Sequence, residues 1–246
     1  MQWIILFSLC IATFSANSKA QEHSIEQLLN IEIAAYQVSS AFSAYVLFTG
    51  LPKFNQHLEH IIETTSPILA SANTAYPDIA EKWQESFSFI ERNKELVFDA
   101  DDHRLIIGLS TTQNQLYKLI DDKKQSIAQH SPEVPTLSPA LDEYLNIRVS
   151  FERLVALYMA ISGSSAGFVH SDMSIEENVS NFESNIESIT NKDANFQRLN
   201  VKWKFIKGNM VKNPGQTSPF ITLHTAADIR KILQKMYNTE LVTSVD

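Results

Sequence analysis

Residues 28–45 read LLNIEIAAYQVSSAFSAY, and residues 144–161 read YLNIRVSFERLVALYMAI. Both stretches place large or small apolar side chains at successive spacings of 3, 4, 3, 4 and 3 residues, the pattern of one apolar seam along an α-helix. The seam residues are Leu28, Ile31, Ala35, Val38, Phe42 and Tyr45, matched by Tyr144, Ile147, Phe151, Leu154, Tyr158 and Ile161. The shared Leu-Asn-Ile motif recurs 116 residues later, which predicts an internal repeat.

The repeat extends beyond these two helices. Trp83 recurs as Trp203 and Tyr117 recurs as Tyr237, each 120 residues later and each tryptophan preceded by a lysine. The separation between tryptophan and tyrosine is therefore 34 residues in both halves. Because the offset grows between helices while the spacing within helices is kept, we interpret the chain as a duplication with short insertions.

Each half is predicted to contain four helices. In the first half they cover about 25–48, 53–72, 77–98 and 103–128, and in the second about 139–161, a helix beginning at Ser174, 195–212 and 220–241. Capping boxes are predicted at Ser24 and at Ser174, and Pro67 is expected to kink or interrupt the second helix. The fold class predicted is all-α, with two tandem antiparallel up-and-down four-helix bundles at 21–130 and 139–246 joined by a proline-rich linker at 131–138.

Composition supports this fold and excludes several functions. The chain has only 6 glycines and 8 prolines in 246 residues, too few for the frequent turns of a β-sandwich or barrel. Its net charge is −8, which argues against nucleic acid or an anionic membrane as the main partner because both are bound through clustered cations.

The N-terminal residues predict export. An apolar stretch at 3–14 is followed by small and polar residues, with Ser18 and Ala20 suitably placed for cleavage before Gln21. We therefore expect a signal peptide at 1–20 and a periplasmic protein without a membrane anchor; the alternative is a short membrane-associated helix. Cleavage would remove Cys10, the single cysteine, which excludes disulfides and thiol chemistry from the mature protein.

The duplicated unit resembles a known sensor family. A long first helix, a tryptophan in the third helix and a leucine and tyrosine near the end of the fourth are similar to the periplasmic domain of type IV pilus methyl-accepting chemotaxis transducers and nitrate/nitrite sensor kinases. In that family, an arginine in the first helix binds the anion at a dimer interface. The resemblance implies a detached sensor-like module, because the family's transmembrane helices and output domains have no counterpart in the sequence.

The same resemblance implies candidate ligand-binding residues. The family's arginine position falls on Glu32 in the first half and on Arg148 in the second, and Arg153 corresponds more loosely to a second arginine. Arg148 directly follows the seam residue Ile147, so it should lie on the flank of its helix. An anion site is therefore expected in at most one half.

Three other motifs are interpreted as structural. His57, His60 and Glu63 share one face of a helix but lack ligands from a second helix, so a solvated face is favoured over a metal site. The acidic cluster at 99–103 suits a helix start better than a calcium loop. Trp83 and Trp203 follow the apolar stripes of their helices and are expected in the core rather than in a ligand pocket.

Two functions remain open at this stage. The first is an exported, non-enzymatic sensor-like or ligand-binding protein that acts with a membrane receptor or pilus-associated signalling system and binds a small anion; a homodimer is an arrangement that the resemblance allows. The second is a structural adaptor that binds proteins through its helix faces. No catalytic residue, cofactor or metal is predicted. A polar cavity at Arg148 would favour the first function, and closed apolar cores the second.

Overall fold

The computed structural model describes residues 2–98, 102–130, 138–164, 174–189, 192–212 and 218–243. Side chains are described within these ranges from residue 25 onward, except at 98, 102, 103, 130 and 212. These residues form eight α-helices and one 3-10 helix, and no strand occurs among them. The helices are α1 (Gln2–Leu47), α2 (Pro52–Ala75), α3 (Pro77–Asn93), α4 (Asp102–His130), α5 (Pro139–Gly163), α6 (Ile175–Glu187), α7 (Ala194–Lys212) and α8 (Pro219–Thr243), with the 3-10 helix at Lys94–Phe98 after α3.

The all-α class is confirmed, and the helix starts of the second half follow their predicted caps. The Ser138 hydroxyl accepts a hydrogen bond from the Leu141 amide, and Pro139 occupies the first turn of α5. At α6, Ser174 and Glu177 form both hydrogen bonds of a capping box. Each side chain satisfies backbone N–H groups that a helix start would otherwise leave unpaired.

Helix α1 does not begin at the predicted cap at Ser24. It runs without interruption from Gln2, because no glycine or proline precedes Gly50 and nothing in the local sequence breaks the helix. The turn that follows it uses left-handed backbone at Thr49 (φ 47°) and Gly50 (φ 67°). The predicted signal peptide and its cleavage point lie before residue 25, outside the described side chains.

Pro67 lies inside α2 without interrupting it. A proline deprives the carbonyl four residues earlier, that of Glu63, of its helical donor. Glu63 is exposed, so water can solvate this carbonyl. Of the two effects predicted for Pro67, interruption of the helix does not occur, and a kink stays a prediction.

The helices of each half contact one another in a ring. Helix α1 packs against α2 and α4, and α3 contacts both of these; α5 packs against α6 and α8, and α7 contacts both of those. This arrangement fits a four-helix bundle in each half. Among the described helices, however, the most extensive contact is between α1 and α5, and it joins the two halves. The division into domains at 131–138 stays a prediction.

Helices α1 and α5 are buried on almost every side. Between residues 31 and 46 every side chain except that of Gln37 is buried. The spacing of apolar residues predicts one apolar stripe per helix, but α1 and α5 need two, because each packs against its own bundle and against the other half. Small residues allow the close approach: a Cβ atom added to Gly163 of α5 would lie 3.2 Å from the carbonyl oxygen of Ser43 in α1.

The two matched tryptophans belong to the core, as predicted. Trp83 in α3 and Trp203 in α7 are each 1% exposed. Trp203 packs edge to face on Phe182, with ring centroids 4.7 Å apart, and its indole N–H donates to Glu183. Each tryptophan thus lies on the buried face of the third helix of its half.

Candidate anion-binding cavity

Two of the polar contacts between α1 and α5 relate the two halves to each other. Tyr36 and Gln37 correspond to Glu152 and Arg153 at the offset of 116 residues. Arg153 Nε donates to the Tyr36 hydroxyl at 2.7 Å, and Gln37 Nε2 donates to Glu152 Oε1 at 2.9 Å. Each contact joins the same two repeat positions with the halves exchanged. This reciprocity is what a pseudo-twofold axis between the first helices of the two halves produces.

On one side of this axis, the buried carboxylate of Glu32 forms ion pairs with two cationic side chains. Glu32 is 1% exposed and accepts from Arg153 Nη2 at 3.0 Å and from Lys124 Nζ at 2.8 Å. Burial opposes the charge on Arg153, but Tyr36 and Glu32 outweigh it and raise the pKa of the guanidinium. The predicted candidate Arg153 is therefore engaged within the chain.

On the other side, Arg230 of α8 holds the buried carboxylate of Glu152. Arg230 Nε lies 2.7 and 2.9 Å from the two carboxylate oxygens, and its Nη2 lies 2.7 Å from Oε2. Glu152 is 3% exposed. This bidentate pair, with Gln37 as an additional donor, satisfies a carboxylate that burial would otherwise strongly destabilise.

Arg148 lies beside this pair, at the position equivalent to Glu32. Its guanidinium carbon is 5.3 Å from the centroid of the Tyr237 ring, a cation–π distance. Among the described residues no hydrogen-bond acceptor or ion-pair partner is found for this half-buried guanidinium. Burial lowers the pKa of Arg148 and the Glu152 carboxylate offsets part of the shift, but an arginine stays charged at neutral pH. The Tyr237 hydroxyl donates to Glu26 at 2.7 Å, which fixes the ring.

A cavity of about 800 Å³ opens at Arg148. Its charged lining residues are four cations, Arg148, Arg230, Lys231 and Lys235, and one carboxylate, Glu152. The remaining lining comes from Gln37 and from α8: Leu233, Gln234, Asn238, Thr239, Val242 and Thr243. The protein is acidic as a whole, so an excess of three positive charges in one cavity is a local feature that favours an anionic ligand.

A second cavity, of about 510 Å³, contains the Glu32 cluster. Its charged lining residues are Glu32 and Glu143 against Lys124 and Arg153, so the charges balance. Asparagine and serine side chains of α5 and α6 supply most of the rest. The two cavities contain two pairs of repeat-related positions, Arg148 and Gln37 in the first and Glu32 and Arg153 in the second, and they differ in net charge.

The other predicted motifs contribute nothing to this cavity. His60 and Glu63 are exposed, whereas His57 is half-buried near Arg230; burial, with the charges of Arg230 and His60, lowers the pKa of His57. Within the described ranges, no three His, Cys, Asp or Glu side chains cluster closely enough to hold a metal ion. The side chains of the acidic cluster at 99–103 lie outside the described residues. Among the residues that the structure describes, no helix has the length and hydropathy to cross a membrane.

Sequence reasoning identified Arg148 and Arg153 but missed their neighbours. Glu152 could have been found, because it follows Arg148 by four residues and so shares its helix face. Arg230 and Tyr237 gave no such signal, since nothing in the sequence of α8 specifies which of its faces meets α5. Comparison of the chain with protein-family models, curated proteins and solved structures finds no match.

Proposed function

We propose that this protein is an exported, non-enzymatic, sensor-like protein that binds a small anionic ligand in the cavity at Arg148. The ligand-bound protein would then act with a membrane receptor or a pilus-associated signalling system in the periplasm. Two observations support the proposal: the resemblance to the chemotaxis and nitrate sensor domains, and the excess positive charge of the cavity.

The observation that carries the proposal is the unpaired guanidinium of Arg148 in a cavity with excess positive charge. The other buried or half-buried charges around the α1–α5 contact are paired: Arg153 with Glu32, and Arg230 with Glu152. Arg148 has donors left for a carboxylate or an oxyanion, and its cation–π contact with Tyr237 holds it in place without using them.

Replacing Arg148 by Ala should abolish anion-dependent thermal stabilisation. In the wild-type protein, an anion at about 100 times its dissociation constant should stabilise the fold by about 2.7 kcal/mol. The measurement is a melting curve with and without nitrate, nitrite and small carboxylates at constant ionic strength. Lys204→Ala is a matched control, because Lys204 is an exposed cation on α7 outside the cavity.

The proposal fails if none of these anions moves the melting curve of the wild-type protein. It also fails if Arg148→Ala and Lys204→Ala respond to the anions alike, since the effect would then be general screening. The protein-binding adaptor would become the better proposal in either case. Its surface would be the outer face of α7, where Val201 and Phe205 are 69% and 60% exposed beside Arg198 and Lys204.

Export is a separate prediction. Mature protein from cells should begin at Gln21 and be released by osmotic shock, because residues 1–20 have the apolar core and the small residues of a signal peptide. N-terminal sequencing of the released fraction is the measurement. Protein that retains Met1 and sediments with membranes would contradict both the cleavage and the periplasmic location.

A further inference from the structure

The shape and lining of the Arg148 cavity narrow the class of anion, if the proposed function holds. A water molecule takes up about 30 Å³ of liquid. A bare inorganic anion is little larger, so it would leave most of a cavity of about 800 Å³ filled with water. Cavities of this size are typical of organic ligands with many atoms.

The cations of α8 and the last turns of α8 line different parts of the cavity. Arg230 is paired with Glu152, and the other lining cations of α8 lie within five residues after it. The Arg148 guanidinium lies against the ring of Tyr237, further along α8. Beyond Tyr237 the lining side chains of α8 are uncharged, and among them Val242 is apolar and 66% exposed.

The head group that suits this site is a single anionic group. Arg230 is engaged by Glu152, and Arg148 is the half-buried cation of the lining with free donors, whereas Lys231 and Lys235 are exposed. A planar carboxylate matches the fork of a guanidinium. We infer that the ligand is a monocarboxylate with an aliphatic body of several carbons, its head on Arg148 and its body along the last turns of α8 toward Val242.

A carboxylate series tests this inference on the full chain. Acetate, butyrate and hexanoate, with nitrate for comparison, are titrated calorimetrically at constant ionic strength. Affinity should rise about two- to fourfold per methylene added, as expected when each methylene leaves water on binding. Hexanamide, which has the same body without the charge, should bind at least tenfold more weakly than hexanoate.

A charge placed at the apolar end should selectively weaken the long ligands. Val242→Asp should lower hexanoate affinity at least fivefold and leave acetate affinity within twofold, because Val242 lies five residues beyond Tyr237, about 7.5 Å of helix rise from the level of the head group on Arg148. Val201→Asp is the matched control, since Val201 is similarly exposed on α7 but lies outside the cavity. Both valines are exposed, so neither variant should unfold the protein.

The outcomes separate the inference from the proposed function. If nitrate and acetate bind as tightly as hexanoate, or if Val242→Asp behaves like Val201→Asp, the aliphatic ligand is ruled out while anion binding at Arg148 stands. If no member of the series binds the wild-type protein, the proposed function and this inference are both overturned. If hexanamide binds as tightly as hexanoate, the cavity is a purely apolar site and the assigned role of Arg148 is wrong.

Discussion

Replacing Arg230 by Ala should lower the free energy of unfolding by about 3–5 kcal/mol, because it removes the main partner of a buried carboxylate. Glu152 is 3% exposed and would keep Gln37 as its remaining donor. A charge at this depth cannot recover its lost hydration without local opening of the α5–α8 contact. Urea denaturation monitored by circular dichroism is the measurement.

Two further variants distinguish the charge effect from lost packing. Lys202→Ala removes a shorter but exposed ion pair with Asp228, at 2.6 Å, and should cost at most about 1 kcal/mol. Adding Glu152→Gln to Arg230→Ala should restore more than half of the loss, because the uncompensated charge is then gone. If the double variant is no more stable than Arg230→Ala alone, the loss comes from the packing of the arginine stem and the electrostatic explanation is wrong.

The helices could be predicted from sequence because their signals are local. Ser174 and Glu177 form a cap within four residues, and proline at 52, 77, 139 and 219 marks four of the helix starts. The α1–α5 contact could not be predicted in this way. Small residues and polar positions on the second face of these helices, such as Ser43 and Gln37, leave no periodic signal that distinguishes a buried face from a solvated one.

The candidate site was predictable in part for the same reason. Arg148 was identified through the resemblance to the sensor family, and its contrast with Glu32 could be read directly from the two first helices. The pairing of Arg153 with Glu32 was not predicted, because it depends on the pseudo-twofold contact between halves that are far apart in sequence. Which arginine is free and which is neutralised is therefore a property of the packing of the helices.

Replacing either core tryptophan by Ala should destabilise both halves. Trp83 and Trp203 are each 1% exposed, and deleting a buried tryptophan costs about 3–5 kcal/mol through lost burial and the cavity left behind. Helices α1 and α5 are buried by each other as well as by their own bundles. Unfolding of one half would expose the first helix of the other, so we expect one cooperative transition rather than two.

The two tryptophans also provide separate reporters for this test. In a Trp3→Phe background, Trp203→Ala leaves Trp83 as the fluorophore of the first half, and Trp83→Ala leaves Trp203 as that of the second. Trp203→Phe, which keeps an aromatic ring against Phe182, is the milder control for Trp203→Ala. In Trp203→Ala, the midpoint of the unfolding transition reported by Trp83 fluorescence should move to a lower urea concentration. The shift should reflect the whole loss in free energy of unfolding, although the substitution lies in the other half. A Trp83 midpoint equal to that of the Phe control would instead mean that the halves unfold independently, as separate tandem domains do, and the α1–α5 contact would then contribute little to stability.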